Sequence, residues 1–230
     1  MKKVFSVILT TSIFFSMSLS IFADTDTAVV SSSNRNSKIV TIVSNSNADY
    51  FKQVNTAFSK GYDTVDVIFA DSIDENTSTV FSQDISNVQI KERSKRYHIR
   101  KVRKISDYTG KNRIASSDGT PGITIKISKS RTISRSISGT FGAPRWVISA
   151  AIGWNVSASD TIAVEGSYKV PKKIGKKYVK KAILNAYTKY ARKRYDVYYG
   201  YPNTRFAKKK GTGTAYKPIG VTFKKKIIYK

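Results

Sequence analysis

A strict two-residue alternation runs through the middle of this 230-residue chain and constrains its fold more than any other feature. The even positions from Thr124 to Thr140 are serine or threonine except Lys126. The odd positions carry Ile123, Ile125, Ile127, Ile133, Ile137 and Phe141, interrupted by Lys129, Arg131, Arg135 and Gly139. After an apolar connector, GAPRWVISAAIG over 142–153, the pattern resumes with Trp154, Val156, Ala158, Asp160, Ile162, Val164, Gly166, Tyr168 and Val170 on one face. Residues two apart share a face in a strand, so both stretches read as β. The chain is expected to be mainly β: an antiparallel sandwich or elongated sheet with one long hairpin, arms at about 123–141 and 154–170, and a flexible N-terminal arm.

One register sets Arg135 opposite Asp160, so that the two charges interrupting the apolar faces meet as a cross-strand pair. It also places Phe141 against Trp154, Ile137 against Ala158, Ile133 against Ile162 and Ser138 against Ser157. Registers shifted by two residues keep the faces but lose that opposition. Asp118-Gly119 and Pro121-Gly122 mark a turn before the hairpin. Upstream, residues 24–48 are polar and read as an arm with one short strand. Residues 49–59 read as a helix with Tyr50, Val54, Ala57 and Phe58 near one face, stopped by Gly61, and 64–70 as a strand. Downstream, 179–194 is ambiguous. Val179, Ala182, Ile183, Ala186, Tyr187 and Tyr190 give a helical stripe, whereas the tyrosine-rich run to Tyr201 favours strands, the stronger of the two readings. Residues 211–230 read as a closing strand interrupted at Lys217-Pro218.

Lys2 and Lys3, an uncharged stretch from Val4 to Phe22, and Ala23 have the form of a secretory signal peptide cleaved after Ala23; an uncleaved anchor is the competing reading. The expected division is a signal peptide at 1–23, an acidic segment at 24–88 acting as arm, small subdomain or pro-region, and a basic β domain at 89–230. The product is expected to be secreted or associated with the cell surface. The chain has no cysteine, so an exported form has no disulfides and depends on packing.

Charge separates the two segments. Residues 24–87 carry nine acidic and four basic side chains, net −5, and residues 88–230 carry 35 basic and six acidic, net +29. A magnitude of roughly 2 to 8 suffices to keep a small domain soluble, so the excess points to an anionic partner. The expected contacts are Lys172, Lys173, Lys176, Lys177, Lys180, Lys181, Arg192, Lys193 and Arg194, interleaved with tyrosines. Such a surface suits an anionic cell-envelope or host polymer or an anionic membrane; export ranks nucleic acid below these. Lys95-Arg96 is a candidate processing point.

Catalysis finds few tools here. His98 is the single histidine, with no cysteine to accompany it, so neither a nucleophilic triad nor a His/Cys zinc site is expected. Asp160 and Glu165 are five apart and face opposite sides of a strand. Asp71, Asp74 and Glu75 lack the order of a calcium loop, and Gly211, Gly213 and Gly220 are spaced as turn residues. The chain is expected to be non-enzymatic, with no cofactor and no metal.

Two Ser/Thr-faced strands around an apolar connector, followed by Tyr168-Lys169-Val170-Pro171, resemble the insertion-hairpin region of aerolysin-type β-pore-forming toxins over residues 123–171. That resemblance implies assembly of hairpins from several subunits into a membrane barrel. Trp146, Val147, Ile148, Ile152 and Trp154 would then be the membrane contacts. Lys129, Arg131 and Arg135 on the outward face oppose it, since a basic side chain at the bilayer midplane costs roughly 2–4 kcal/mol. A soluble sandwich whose long ribbon packs on the core is the alternative.

Overall fold

The computed structural model describes residues 28–34, 37–44, 50–69, 95–201 and 206–230; the expected signal peptide and the acids Asp71, Asp74 and Glu75 lie outside them. The described chain is mainly β. Ten strands and two helices follow in the order β1 (Ala28–Asn34), β2 (Ser37–Ser44), α1 (Tyr50–Ser59), β3 (Thr64–Phe69), β4 (Arg96–Gly119), β5 (Thr124–Ser134), β6 (Ser136–Ser138), α2 (Arg145–Ile152), β7 (Ser159–Lys169), β8 (Lys173–Ile174), β9 (Lys177–Gly200) and β10 (Lys208–Tyr229).

The main sheet has the order β1-β2-β3-β10-β9-β4, with β6 also on β10 and β8 on β9. Among the described strands only β2 and β3 pair in parallel, and α1 lies in their crossover. The strands β4 and β9 are 24 residues each, about 80 Å at 3.3 Å per residue. The ambiguous 179–194 stretch is strand throughout, inside β9. The described part of the acidic segment is built into the sheet, because β3 lies against β10 with Val65 opposite Phe223 and Val67 opposite Val221.

A separate two-stranded sheet, β5 with β7, lies over the main one. Ile125, Ile127, Ile162, Val164 and Tyr168 of this hairpin bury against Ala182, Leu184 and Ala186 of β9 and Val221 and Phe223 of β10. The face read for α1 is the face it buries: Tyr50, Val54, Ala57 and Phe58 all enter this core. The Tyr50 hydroxyl accepts from the Glu165 amide at 2.7 Å and donates to the Ala163 carbonyl at 2.9 Å, tying the helix to β7.

The hairpin differs from its expected form in three ways. First, the register is two residues off, with Ile133 opposite Asp160 and Arg131 opposite Ile162. The faces survive because two is the strand period. The charged pair survives as well, since a diagonal neighbour lies within reach of an arginine. Arg135 donates through Nε and Nη2 to Asp160 at 2.9 and 2.8 Å. Second, the arms are shorter, 11 residues each, and Ile137 and Ser138 leave the hairpin for the edge of β10, opposite Ala215 and Thr214. The expected pairs Phe141–Trp154, Ile137–Ala158 and Ser138–Ser157 therefore do not form. Third, the connector contains a helix. It runs from Pro144 at the N-cap to Gly153, whose φ of 78° is the left-handed cap conformation that glycine adopts without strain.

That helix occupies the other side of the sheet. Ile148, Ile152, Trp154 and Val156 form a second core with Tyr195 and Val197 of β9 and Ala215 of β10. Past the irregularity that separates Val179 from Lys181, the buried apolar positions of β9 switch from even (182, 184, 186) to odd (195, 197), so the first core covers one face of this stretch and the second covers the opposite face. Residues 135–158 wrap from one face to the other around the β10 edge, and the Arg135–Asp160 pair sits where they cross.

Candidate functional site: a basic, tyrosine-rich sheet face

Beyond the first core, the even face of β9 carries Tyr190, Arg192, Arg194, Asp196 and Tyr198, with the Asp196 carboxylate taken up by Lys209 and Thr212. Pairing sets Arg103 of β4 opposite Arg194, Lys104 opposite Lys193, Ile105 opposite Arg192, and Tyr108 opposite Tyr190. Arg103 and Arg194 are exposed like charges in direct cross-strand opposition, an arrangement that is unfavourable by itself. Carboxylates elsewhere are engaged: Asp63 with Lys225, Asp66 with Lys189, Asp118 with Lys181, Asp160 with Arg135 and Asp196 with Lys209. Among the described residues, none pairs with Arg103 or Arg194.

The nine basic residues read from the sequence separate into groups. Lys172, Lys173, Lys176, Lys177, Lys180 and Lys181 gather at the β8–β9 turn, with Lys181 bound to Asp118 at 2.8 Å. Arg192, Lys193 and Arg194 lie about 36 Å further along β9 at 3.3 Å per residue. Strand alternation divides this second group again. Arg192 and Arg194 share a face, while Lys193 points into the second core, donating to the Ile152 carbonyl at 2.7 Å and lying 4.7 Å from the Trp154 ring. Burial, then Lys217 and Lys104, holds its amine below the usual lysine range. Lys193 thus closes the C-terminus of α2, where a cation complements the helix dipole.

Arg100 and Arg103 escape sequence reasoning, because eight Lys or Arg crowd residues 89–105 and nothing in that run shows which side chains register with β9. Several tyrosine rings are covered by the protein's own cations: Arg100 over Tyr198 at 4.9 Å, Arg192 over Tyr108 at 5.3 Å and Lys173 over Tyr178 at 4.2 Å. Of the membrane-contact candidates, Trp146 is 63% exposed and Val147 half-buried, whereas Ile148, Ile152 and Trp154 are buried in the second core. No helix among the described residues is long and apolar enough to cross a membrane. No group of three or more acidic or histidine side chains comes together among them either.

Two titrating groups at this end of the sheet respond to acid in the same sense. Burial, with Arg100 and Arg96 close by, pushes His98 below its ordinary 6.5 despite its bond to the Arg96 carbonyl. Hydrogen bonds from Lys209 and Thr212 hold Asp196 below the usual carboxylate range. Because the folded histidine resists protonation, the unfolded chain takes up the proton first, and stability falls as pH drops below about 6.5. Asp196 contributes a further loss once pH falls below the ordinary carboxylate value. The urea midpoint is expected to be lower at pH 5.5 than at pH 7.5, and His98→Gln is expected to remove most of that difference. An undiminished difference in the variant would assign the effect elsewhere.

Compared with models of known protein families and with curated protein sequences, the chain matches none.

Proposed function

We propose that this is a secreted, non-catalytic protein that binds anionic cell-envelope or host surfaces through the Arg/Lys/Tyr face of β4 and β9, helped by the lysines of the β8–β9 turn. The observation that carries this reading is the Arg103–Arg194 opposition, an uncompensated like-charge pair that a bound anion would relieve. Nucleic acid fits less well, since bases stack on open aromatic faces and Tyr108, Tyr178 and Tyr198 already lie against cations.

A second reading, membrane insertion of the hairpin, is favoured by the separateness of the β5–β7 sheet and its 11-residue strands, close to the roughly 9–11 residues a tilted membrane strand needs. Against it, Lys129 and Arg131 share the face that would meet lipid, and the apolar tip would first have to leave the second core.

One experiment separates the readings: the mature chain is added to phosphatidylglycerol vesicles loaded with dye. Surface binding predicts retention at low salt that is lost on raising salt severalfold, without dye release. Dye release would favour the insertion reading, and absent or salt-independent retention would sink the first.

A further inference from the structure

Where the hairpin extends past the first core, it and the main sheet enclose a cleft of about 650 Å³. Thr188 and Tyr190 come from β9, Tyr216 from β10, Tyr108 from β4 and Arg131 to Ser134 from β5. The size falls among small-ligand sites, roughly 300–1,000 Å³. No carboxylate residue lines the cleft.

Its chemistry is specific. Tyr108, Tyr190 and Tyr216 form a triangle with centroid separations of 6.2–6.3 Å, and Tyr190 and Tyr216 are perpendicular. Among the described residues no partner engages their hydroxyls. Tyr108 is covered by Arg192, so Tyr190 and Tyr216 offer the π faces and all three rings offer phenolic donors, a combination that suits the C–H faces and hydroxyls of a polyol ring. Gly110 permits the arrangement: a Cβ there would stand 3.0 Å from the Tyr190 ring.

Three cations line the cleft, Lys111 and Arg113 from β4 and Arg131 from the hairpin. Arg131 occupies the apolar face of β5 between Ile127 and Ile133, yet remains exposed, without an acidic partner among the described residues. Arg135, the next charge on that face, finds Asp160; Arg131 lies opposite Ile162 and lines the cleft instead. A planar guanidinium is suited to a sulfate or phosphate ester, which it can grip through two parallel hydrogen bonds.

We infer that the cleft between the hairpin and the tyrosine triangle binds a polyol ring carrying a sulfate or phosphate ester. This rests on the anionic-surface reading and locates within it the site that recognises a ligand unit rather than bulk charge.

The test is calorimetric titration of the mature chain with a sulfated disaccharide, its desulfated form and a soluble inositol phosphate. Saturable binding of either ester is expected, with the desulfated sugar at least tenfold weaker. Preference for the disaccharide identifies a polysaccharide source, and preference for inositol phosphate a lipid headgroup. Arg131→Gln, on an exposed side chain that does not support the core, and Tyr190→Ala should each weaken binding at least tenfold, whereas Lys52→Gln on the exposed side of α1 should not. Binding by Arg131→Gln within twofold of the parent, or equal binding of the desulfated sugar, would overturn the inference. If the parent is retained on anionic vesicles but binds none of the three probes, the cleft proposal alone fails; if retention is absent too, both fail.

Discussion

Replacing Phe223 with alanine is expected to cost about 3–5 kcal/mol, the usual range for deleting a buried aromatic ring. Phe223 is fully buried and sits at the junction of three elements, opposite Val65 of β3 and Ala186 of β9 while its ring lies against Gly166 of β7. That last contact is close enough that a Cβ on Gly166 would stand 2.8 Å from the ring edge. Hairpin and sheet share no backbone ladder in this region, so this ring and its neighbours carry the docking. Urea unfolding should show a lower midpoint for Phe223→Ala, with Phe223→Leu losing much less. A loss below about 1 kcal/mol for the alanine variant would mean that the hairpin is not docked as described.

Arg135→Ala is the second large effect, about 3 kcal/mol, because removing one partner strands a partly desolvated charge. The lower end of the range applies, since the Asp160 side chain keeps 24% of its exposure against 7% for Arg135. Arg135 also reaches the Asn155 carbonyl at 3.4 Å, so the loss loosens the return from α2 as well as the hairpin end. The double variant Arg135→Met/Asp160→Leu should recover most of the stability, as apolar replacements of buried pairs often do. If the double variant is no better than Arg135→Ala, the loss belongs to packing or to Asn155 rather than to the stranded carboxylate.

What the sequence made legible follows from periodicity. The α1 face, the β3 strand, the turn before β5 and the in-and-out pattern of the hairpin were all readable, because each is set by neighbours within one element. The Arg135–Asp160 pair was readable but could not select the register, since an arginine spans the direct and the diagonal position alike. The departure of Ile137 and Ser138 to β10 was hidden for a related reason: an alternating stretch looks the same whichever strand it joins. The α2 helix did leave a signal, Pro144 ahead of it and Gly153 after it with Ile148 and Ile152 four apart, obscured by the strands on either side. Of the candidate site, the basic tyrosine-rich character was visible. Its assembly was not, because Tyr108, Tyr190 and Tyr216 come from three strands and meet only through pairing, and four irregularities in β4 shift its register against β9.

The change from even to odd buried positions along β9 has a consequence for how errors in pairing are rejected. A strand with one buried face can slide by a single residue and lose that face alone. If β9 slid, Ala182, Leu184 and Ala186 would turn away from the hairpin while Tyr195 and Val197 turned away from α2. Neither end could be satisfied at the expense of the other, so this 24-residue strand carries two independent locks on a single alignment.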